Sequence, residues 1–206
     1  MIYTMGNDKP KRERMLLILD IDGTIGDLSH REHIIEGIEQ PTEEQWKEFL
    51  SPVLVEQDVP LDVAAKHYKE AVSNFDKVIF LTSRSEYLRD TTRKWLHKYF
   101  DVDPTEDELF MRPDDDLRPS SAIKKESLEG PIHDLYGDTA WVLVDDEPDN
   151  LSVFDEFGLA LSAEGFWRIF EMGLDQIATA LNVLRRSYDE NSDDTESGPS
   201  PISCTG

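Results

Sequence analysis

Two aspartates, Asp20 and Asp22, stand one residue apart behind an apolar run in LLILDIDGTIGD, Leu16 to Asp27. A carboxylate resists burial unless a cation or hydrogen-bond donors compensate it. In extended chain, residues i and i+2 point the same way, so both carboxylates can face one pocket. Gly23 allows a sharp turn directly after them. A second acidic pair, Asp145 and Asp146, follows the apolar run WVLV. Four carboxylates gathered at one edge repel one another. A hard divalent cation removes that penalty, and Mg²⁺ takes oxygen ligands of this type together with waters and a phosphate oxygen.

The elements that would position these residues alternate along the chain. MLLILD (Met15–Asp20) and KVIFLTSR (Lys77–Arg84) read as buried parallel strands; ELFMR, AWVLVDD and LALSAE supply three more. Between them lie helical patterns. PTEEQWKEFL carries Thr42 as N-cap and Gln45 three residues on, a capping box. PLDVAAKHYKEAVSNF is amphipathic, Glu86–Phe100 carries Leu88, Thr92, Trp95 and Tyr99 on one stripe, and Ser120–Tyr136, Asn150–Phe157 and Arg168–Arg186 complete the set. In RPSSAIKKESL, Ser120 or Ser121 is a natural N-cap, which puts Lys124 in the first helical turn, where a cation opposes the helix dipole. Such a broken local rule suggests function, and Lys125 is the alternative register. Alternating strands and helices imply an α/β fold with helices on both faces of a parallel sheet. Ligands bind at the C-terminal edge of such sheets, where both acidic pairs, Thr82 and Arg84 fall.

Composition narrows the classes. The net charge is −23, with 44 acidic against 21 basic residues, so the field repels an extended nucleic-acid backbone but still allows a compact pocket for one phosphate end. The same excess resembles proteins adapted to high salt, or an acidic phage or bacterial protein. No apolar run reaches roughly 18 residues, and the first residues lack a signal-peptide core. Cys204 is the sole cysteine, so no internal disulfide forms. A cytoplasmic protein is expected, phage-encoded in one reading. Residues 1–13 are expected to be a flexible leader, 14–186 the domain with a small helical insertion over about 27–75, and 187–206 a disordered acidic tail.

DIDGT after the first strand, LTSR after the next, a lysine on a helix and VDD after a later strand resemble, in order, the four motifs of the haloacid dehalogenase (HAD) phosphotransferase superfamily. The resemblance covers about residues 15–166. It implies a Rossmann-like three-layer sandwich with a small helical cap. It also implies Asp20 as nucleophile forming an aspartyl-phosphate, and Asp22 as general acid and then base. Thr82 and Lys124 would hold the phosphoryl oxygens, and Asp20, Asp22, Asp145 and Asp146 a Mg²⁺ ion. The nucleophile must stay ionised, which the metal and Lys124 favour, while Asp22 must carry a proton at neutral pH, which crowding of like charges favours.

Within that superfamily, DGTIGDLSHREHII, RDTTRKWLHKYF and ELFMRPDDDLRPSSAIKKESL resemble the 3′-phosphatase domain of phage polynucleotide kinase-phosphatase, as does the segment before Glu164–Trp167. By that likeness Arg31, Arg84 and Thr24 would contact the substrate, and Arg118 would support the lysine loop. The family often has an acid four residues before its motif lysine; here that position is Ser120. The expected activity is Mg²⁺-dependent removal of 3′-phosphates from nucleic-acid ends. The alternatives are a 5′- or 3′-nucleotidase acting on free mononucleotides and, from another class, a non-catalytic phosphate-binding or scaffold protein. The intact set of catalytic residue types argues against the last. No GxxxxGKS or GxxxxGKT loop occurs in the sequence, so a kinase or ligase would be a separate partner.

DIDG also opens calcium loops, but an EF-hand needs a helix before it and a terminal Glu, and neither fits here. Receiver domains of signalling proteins use similar residues with the acidic pair first in the chain. Asp114–Asp116 reads as a solvated turn, His30 and His33 as a helix start or lid surface, and Trp46, Trp95 and Trp167 as core or lid packing. KPKRER reads as mobile basic surface.

Overall fold

The computed structural model describes residues 14–38, 41–137 and 139–172. The expected leader, the acidic tail and the expected closing helix beyond residue 172 lie outside the described residues.

The chain begins in β1 (Met15–Leu19), buried at every position. A tight turn leads to β2 (Gly26–Asp27), followed by α1 (Ser29–Glu32), α2 (Glu43–Phe49) and α3 (Pro52–Val55). β3 (Val59–Pro60) then pairs antiparallel with β2, Gly26 opposite Pro60 and Asp27 opposite Val59. This ribbon closes a short excursion over residues 28–58. The capping box on α2 forms as its sequence predicts, with the Gln45 N–H donating to Thr42 Oγ1 and the Thr42 N–H to Gln45 Oε1.

α4 (Asp62–Val72) falls inside the span expected for the insertion, yet it buries Ala64, Tyr68 and Ala71 in the main core. It leads into β4 (Lys77–Ser85), α5 (Arg89–Phe100), β5 (Leu109–Arg112), α6 (Ser120–Ser127) and α7 (His133–Tyr136). β6 (Ala140–Asp145), α8 (Pro148–Phe154), β7 (Leu159–Ser162) and α9 (Ala163–Glu171) complete the described order. The five-stranded sheet runs β5-β4-β1-β6-β7, and every neighbouring pair is parallel. Trp167, expected as core or lid packing, lies on α9 and is buried.

β1 sits at the centre, which explains its unbroken apolar run: its side chains alternate between two cores. Leu17 and Leu19 pack with α4, α5 and α9 on one face, through residues such as Trp95, Phe100, Phe166 and Phe170. Leu16 and Ile18 pack on the other face with Leu128, Ile132 and Phe154. Fully burying each such side chain stabilises the fold by roughly 1.5–3 kcal/mol. The outcome is the three-layer α/β sandwich expected of the HAD type. No helix among the described residues is long and apolar enough to cross a membrane.

Candidate active site

Strand register brings the acids together. Leu19 pairs with Val144, so the next residues, Asp20 and Asp145, leave adjacent strands side by side. Leu19 also pairs with Phe80, which places Thr82, two residues further along β4, at the same edge. Lys124 reaches this edge from α6 and is buried there. Its Nζ donates to Asp20 Oδ1 at 2.8 Å and to Asp145 Oδ2 at 2.5 Å. Asp145 Oδ1 accepts from the Glu147 N–H at 2.9 Å and Asn150 Nδ2 at 3.0 Å.

The helix start differs from expectation. Pro119 is the N-cap of α6 and makes no side-chain cap, so Lys124 falls in the second turn rather than the first. Ser120 instead places its hydroxyl against that of Ser83 on β4, tying the lysine helix to the sheet. Lys125, the alternative register, is partly exposed and pairs with Glu156.

Asp20, Asp145 and Asp146 each offer an oxygen within 4.8 Å of the others. An all-oxygen donor set of this charge fits a hard divalent cation. Gly23 makes the set possible: its φ is +73°, and a Cβ there would lie 2.2 Å from Asp146 Oδ2. Gly23→Ala is therefore expected to displace Asp146 and lower divalent-cation affinity at least about tenfold, by the strain of a left-handed alanine and the clash together. Calorimetric titration with Mg²⁺ or Mn²⁺ checks this.

Asp22 does not join that cluster. Both its oxygens are taken by arginines: Arg84 Nε donates to Oδ2 at 2.9 Å, and Arg84 Nη2 and Arg31 Nη2 donate to Oδ1 at 2.6 and 2.9 Å. Asp22, expected among the metal ligands, thus lies on the arginines and apart from the three clustered acids. Arg31 and Arg84, expected on the substrate, are both buried and turned inward. Behind them lies Asp58, fully buried, which sequence reasoning missed. Its carboxylate accepts from Arg31 Nε at 2.8 Å, Arg31 Nη2 at 2.9 Å and Arg84 Nη2 at 2.7 Å. The Phe49 ring lies 4.3 Å from the Arg31 guanidinium carbon and the Trp95 ring 5.6 Å from that of Arg84.

The two carboxylates of the DID motif thus have different environments. Burial pushes Asp20 well above the usual carboxylate range; Lys124 opposes this, and Asp145 and Asp22 reinforce it. Burial also acts to raise Asp22, but Arg84 and Arg31 outweigh it and hold the carboxyl below its ordinary value. The sequence expectation for Asp22 counted like charges and not these arginines. Burial would lower Lys124, yet Asp20 and Asp145 raise it, so it stays cationic through neutral pH. Desolvation and then the Asp145 charge push Asp146 up to about 6. A proton must leave Asp146 before it can ligate, so cation affinity is expected to fall as pH drops through about 6. Mn²⁺ titrations at several pH values test the sign.

Of the remaining expected residues, Thr82 is buried, with Oγ1 accepting from the Arg84 N–H at 3.2 Å. Thr24 is buried too; its carbonyl accepts from Trp167 Nε1 at 2.8 Å and its hydroxyl has no partner among the described residues. Arg118 points away from the acids, to Asp116 and Glu126, and its backbone carbonyl accepts from Arg112. Its side chain thus meets the lysine helix at Glu126, two residues after Lys124, and its backbone carbonyl holds Arg112. Trp46, expected to pack, is substantially exposed.

A parallel sheet with a buried Asp–Lys–Asp arrangement at the C-terminal edge of its central strands agrees with the HAD-type phosphatase that the motifs resemble. The family model described as the polynucleotide kinase PNKP phosphatase domain matches residues 14–161, and the chain belongs to that family. No curated protein matches the chain. Among solved structures, it is similar to a chain of the Pnkp1/Rnl/Hen1 complex, with 23% identity and a TM-score of 0.53, covering 75% of this chain and 47% of that one. A chain of the Pnkp1/Rnl/Hen1 RNA repair complex gives 23% identity and a TM-score of 0.54, covering 75% of this chain and 44% of that one. Protein Tyrosine Kinase A of Mycobacterium tuberculosis shares 15% identity with a TM-score of 0.51, over 74% of this chain and 84% of that one. The chain thus spans less than half of the Pnkp1-complex chains it matches. At these identities the likeness shows the fold.

Proposed function

We propose that the chain is a Mg²⁺-dependent phosphomonoesterase that removes 3′-phosphates from nucleic-acid ends through an aspartyl-phosphate on Asp20. The observation that carries this is the separation of environments within one motif. Asp20 lies on Lys124 among the acids, while Asp22, two residues on, lies on arginines. Neighbouring carboxylates in unlike environments take unlike roles.

In the first step an Asp20 oxygen attacks phosphorus and the P–O bond to the alcohol breaks. Asp22 gives its proton to the departing oxygen. Asp22 starts from a low value, and the dianionic phosphate of an incoming ester acts on it as a like charge, raising it toward protonation. In the second step the Asp22 carboxylate takes a proton from water, the water oxygen bonds to phosphorus, and the bond to Asp20 breaks. Lys124 and Thr82 stabilise the transferring oxygens. Asp20, Asp145 and Asp146 would hold the Mg²⁺, which supplies positive charge against the phosphate.

The choice of a nucleic-acid end rests on the family match and on the motif segments that resemble its phage members. Cytoplasmic action is part of the same proposal. So is a separate kinase or ligase partner, by analogy with the assemblies of the Pnkp1 chains. The test is phosphate release with Mg²⁺ from a 3′-phosphorylated oligonucleotide, its 5′-phosphorylated counterpart, and 3′- and 5′-mononucleotides. The proposal expects the 3′-phosphorylated oligonucleotide to give the highest kcat/KM. A preference for mononucleotides would move the substrate to free nucleotides.

A further inference from the structure

We infer that Asp58 is the positioning residue for Asp22, acting through Arg31 and Arg84. The inference rests on the reading of Asp22 as proton donor and acceptor. The same two atoms, Arg31 Nη2 and Arg84 Nη2, each donate to both carboxylates: to Asp22 Oδ1 at 2.9 and 2.6 Å, and to Asp58 Oδ2 at 2.9 and 2.7 Å. Two guanidiniums therefore face two carboxylates, and each arginine is held from behind by Asp58. Without Asp58, two adjacent cations would share one carboxylate and repel each other.

Asp58 is itself firmly placed. It immediately precedes β3, whose pairing with β2 fixes the end of the excursion beside the turn that carries Asp22. Its carbonyl accepts from Trp95 Nε1 at 2.8 Å, and His30 Nε2 lies 3.0 Å from Oδ1 on the outer side. It forms no hydrogen bond or ion pair with Asp20, Lys124, Asp145 or Asp146 among the described residues. A buried ion cluster kept for stability alone could be replaced by apolar packing. Because it shares donor atoms with Asp22, Asp58 also sets the direction in which the Asp22 carboxylate faces the ester oxygen.

The test uses the full chain, Asp58→Asn, and two substrates that differ in their need for a proton donor. A 3′-phosphorylated oligonucleotide releases an alkoxide and needs one; 4-nitrophenyl phosphate releases a stable phenolate and does not. The rate of the phosphoryl-enzyme burst is read by rapid quench. For Asp58→Asn the burst on the oligonucleotide is expected to slow about a hundredfold, the scale of general-acid catalysis, while that on 4-nitrophenyl phosphate stays within about threefold. Asp58→Glu, which keeps the carboxylate, is expected to recover part of the loss. Equal losses on both substrates, following a lowered Tm, would overturn the inference and leave Asp58 structural. If Asp58→Asn does not fold, the charge-balanced Asp58→Asn/Arg31→Gln pair takes its place with the same expected split, and full activity of that pair overturns the inference. Asp22→Asn separates the two levels. If it shows the split and Asp58→Asn does not, the inference about Asp58 is overturned alone; if Asp22→Asn itself shows none, the reading of Asp22 fails and the inference falls with it.

Discussion

Asp20→Asn is expected to lower kcat on any phosphomonoester by at least ~10⁴-fold, because loss of a covalent nucleophile leaves only binding and electrostatic stabilisation. The amide is nearly isosteric, so the loss reflects chemistry rather than shape. Folding should survive. Burial already disfavours the Asp20 charge, and the amide removes that penalty together with one partner of Lys124. A circular dichroism melt that stays at or above that of the native protein, beside absent turnover, is the expected pair of results. Turnover within tenfold of native would mean that the phosphoryl group never passes through Asp20.

Lys124→Met has the largest expected effect on stability. The substitution conserves much of the stem packing and deletes the cation shared by Asp20 and Asp145. Removing one partner of a buried charge cluster costs about 3–5 kcal/mol. The sign with pH follows from the carboxylates left behind. Asp20, already raised by burial, loses the cation that opposed the shift, so its folded-state value climbs further above the unfolded one. Such a group binds more protons folded than unfolded, so the stability deficit grows as pH rises from the acid range toward neutrality. Added divalent cation should recover part of the deficit by binding the folded acids. Chemical denaturation at two pH values, with and without Mg²⁺, measures all three effects. An unchanged midpoint at neutral pH would show that Lys124 does not compensate these acids.

The parts of this site that local pattern controls are legible in the sequence. The central strand β1 announces itself because burial on both faces demands an unbroken apolar run, and its end must then fall at the ligand edge. Asp20 and Asp145 can be placed at one edge on that argument alone. Lys124 is legible as a cation on a helix, but its depth in the second turn is not, since Pro119 rather than a serine caps α6. An arginine near a phosphate site invites assignment to the substrate, as the sequence expectation for Arg31 and Arg84 shows. Their inward turn depends on Asp58, which sits in EQDV with polar neighbours and no periodic signal. A buried acid in a connecting segment is created by tertiary pairing, 27 residues away in the chain for Arg31 and 26 for Arg84. The same blindness to distant partners hides the arginines that hold the Asp22 carboxyl below its ordinary value in the free protein.

The most direct test of the account is to trap the phosphoryl-enzyme. The protein is mixed with a phosphate-labelled 3′-phosphorylated oligonucleotide and Mg²⁺, quenched in acid within the first turnover, digested and sequenced by mass spectrometry. Label is expected on Asp20 at a level that reaches a substantial fraction of the enzyme, and none in Asp20→Asn. Phosphate release at the native rate with no labelled Asp20 peptide would contradict it and point to direct attack by water.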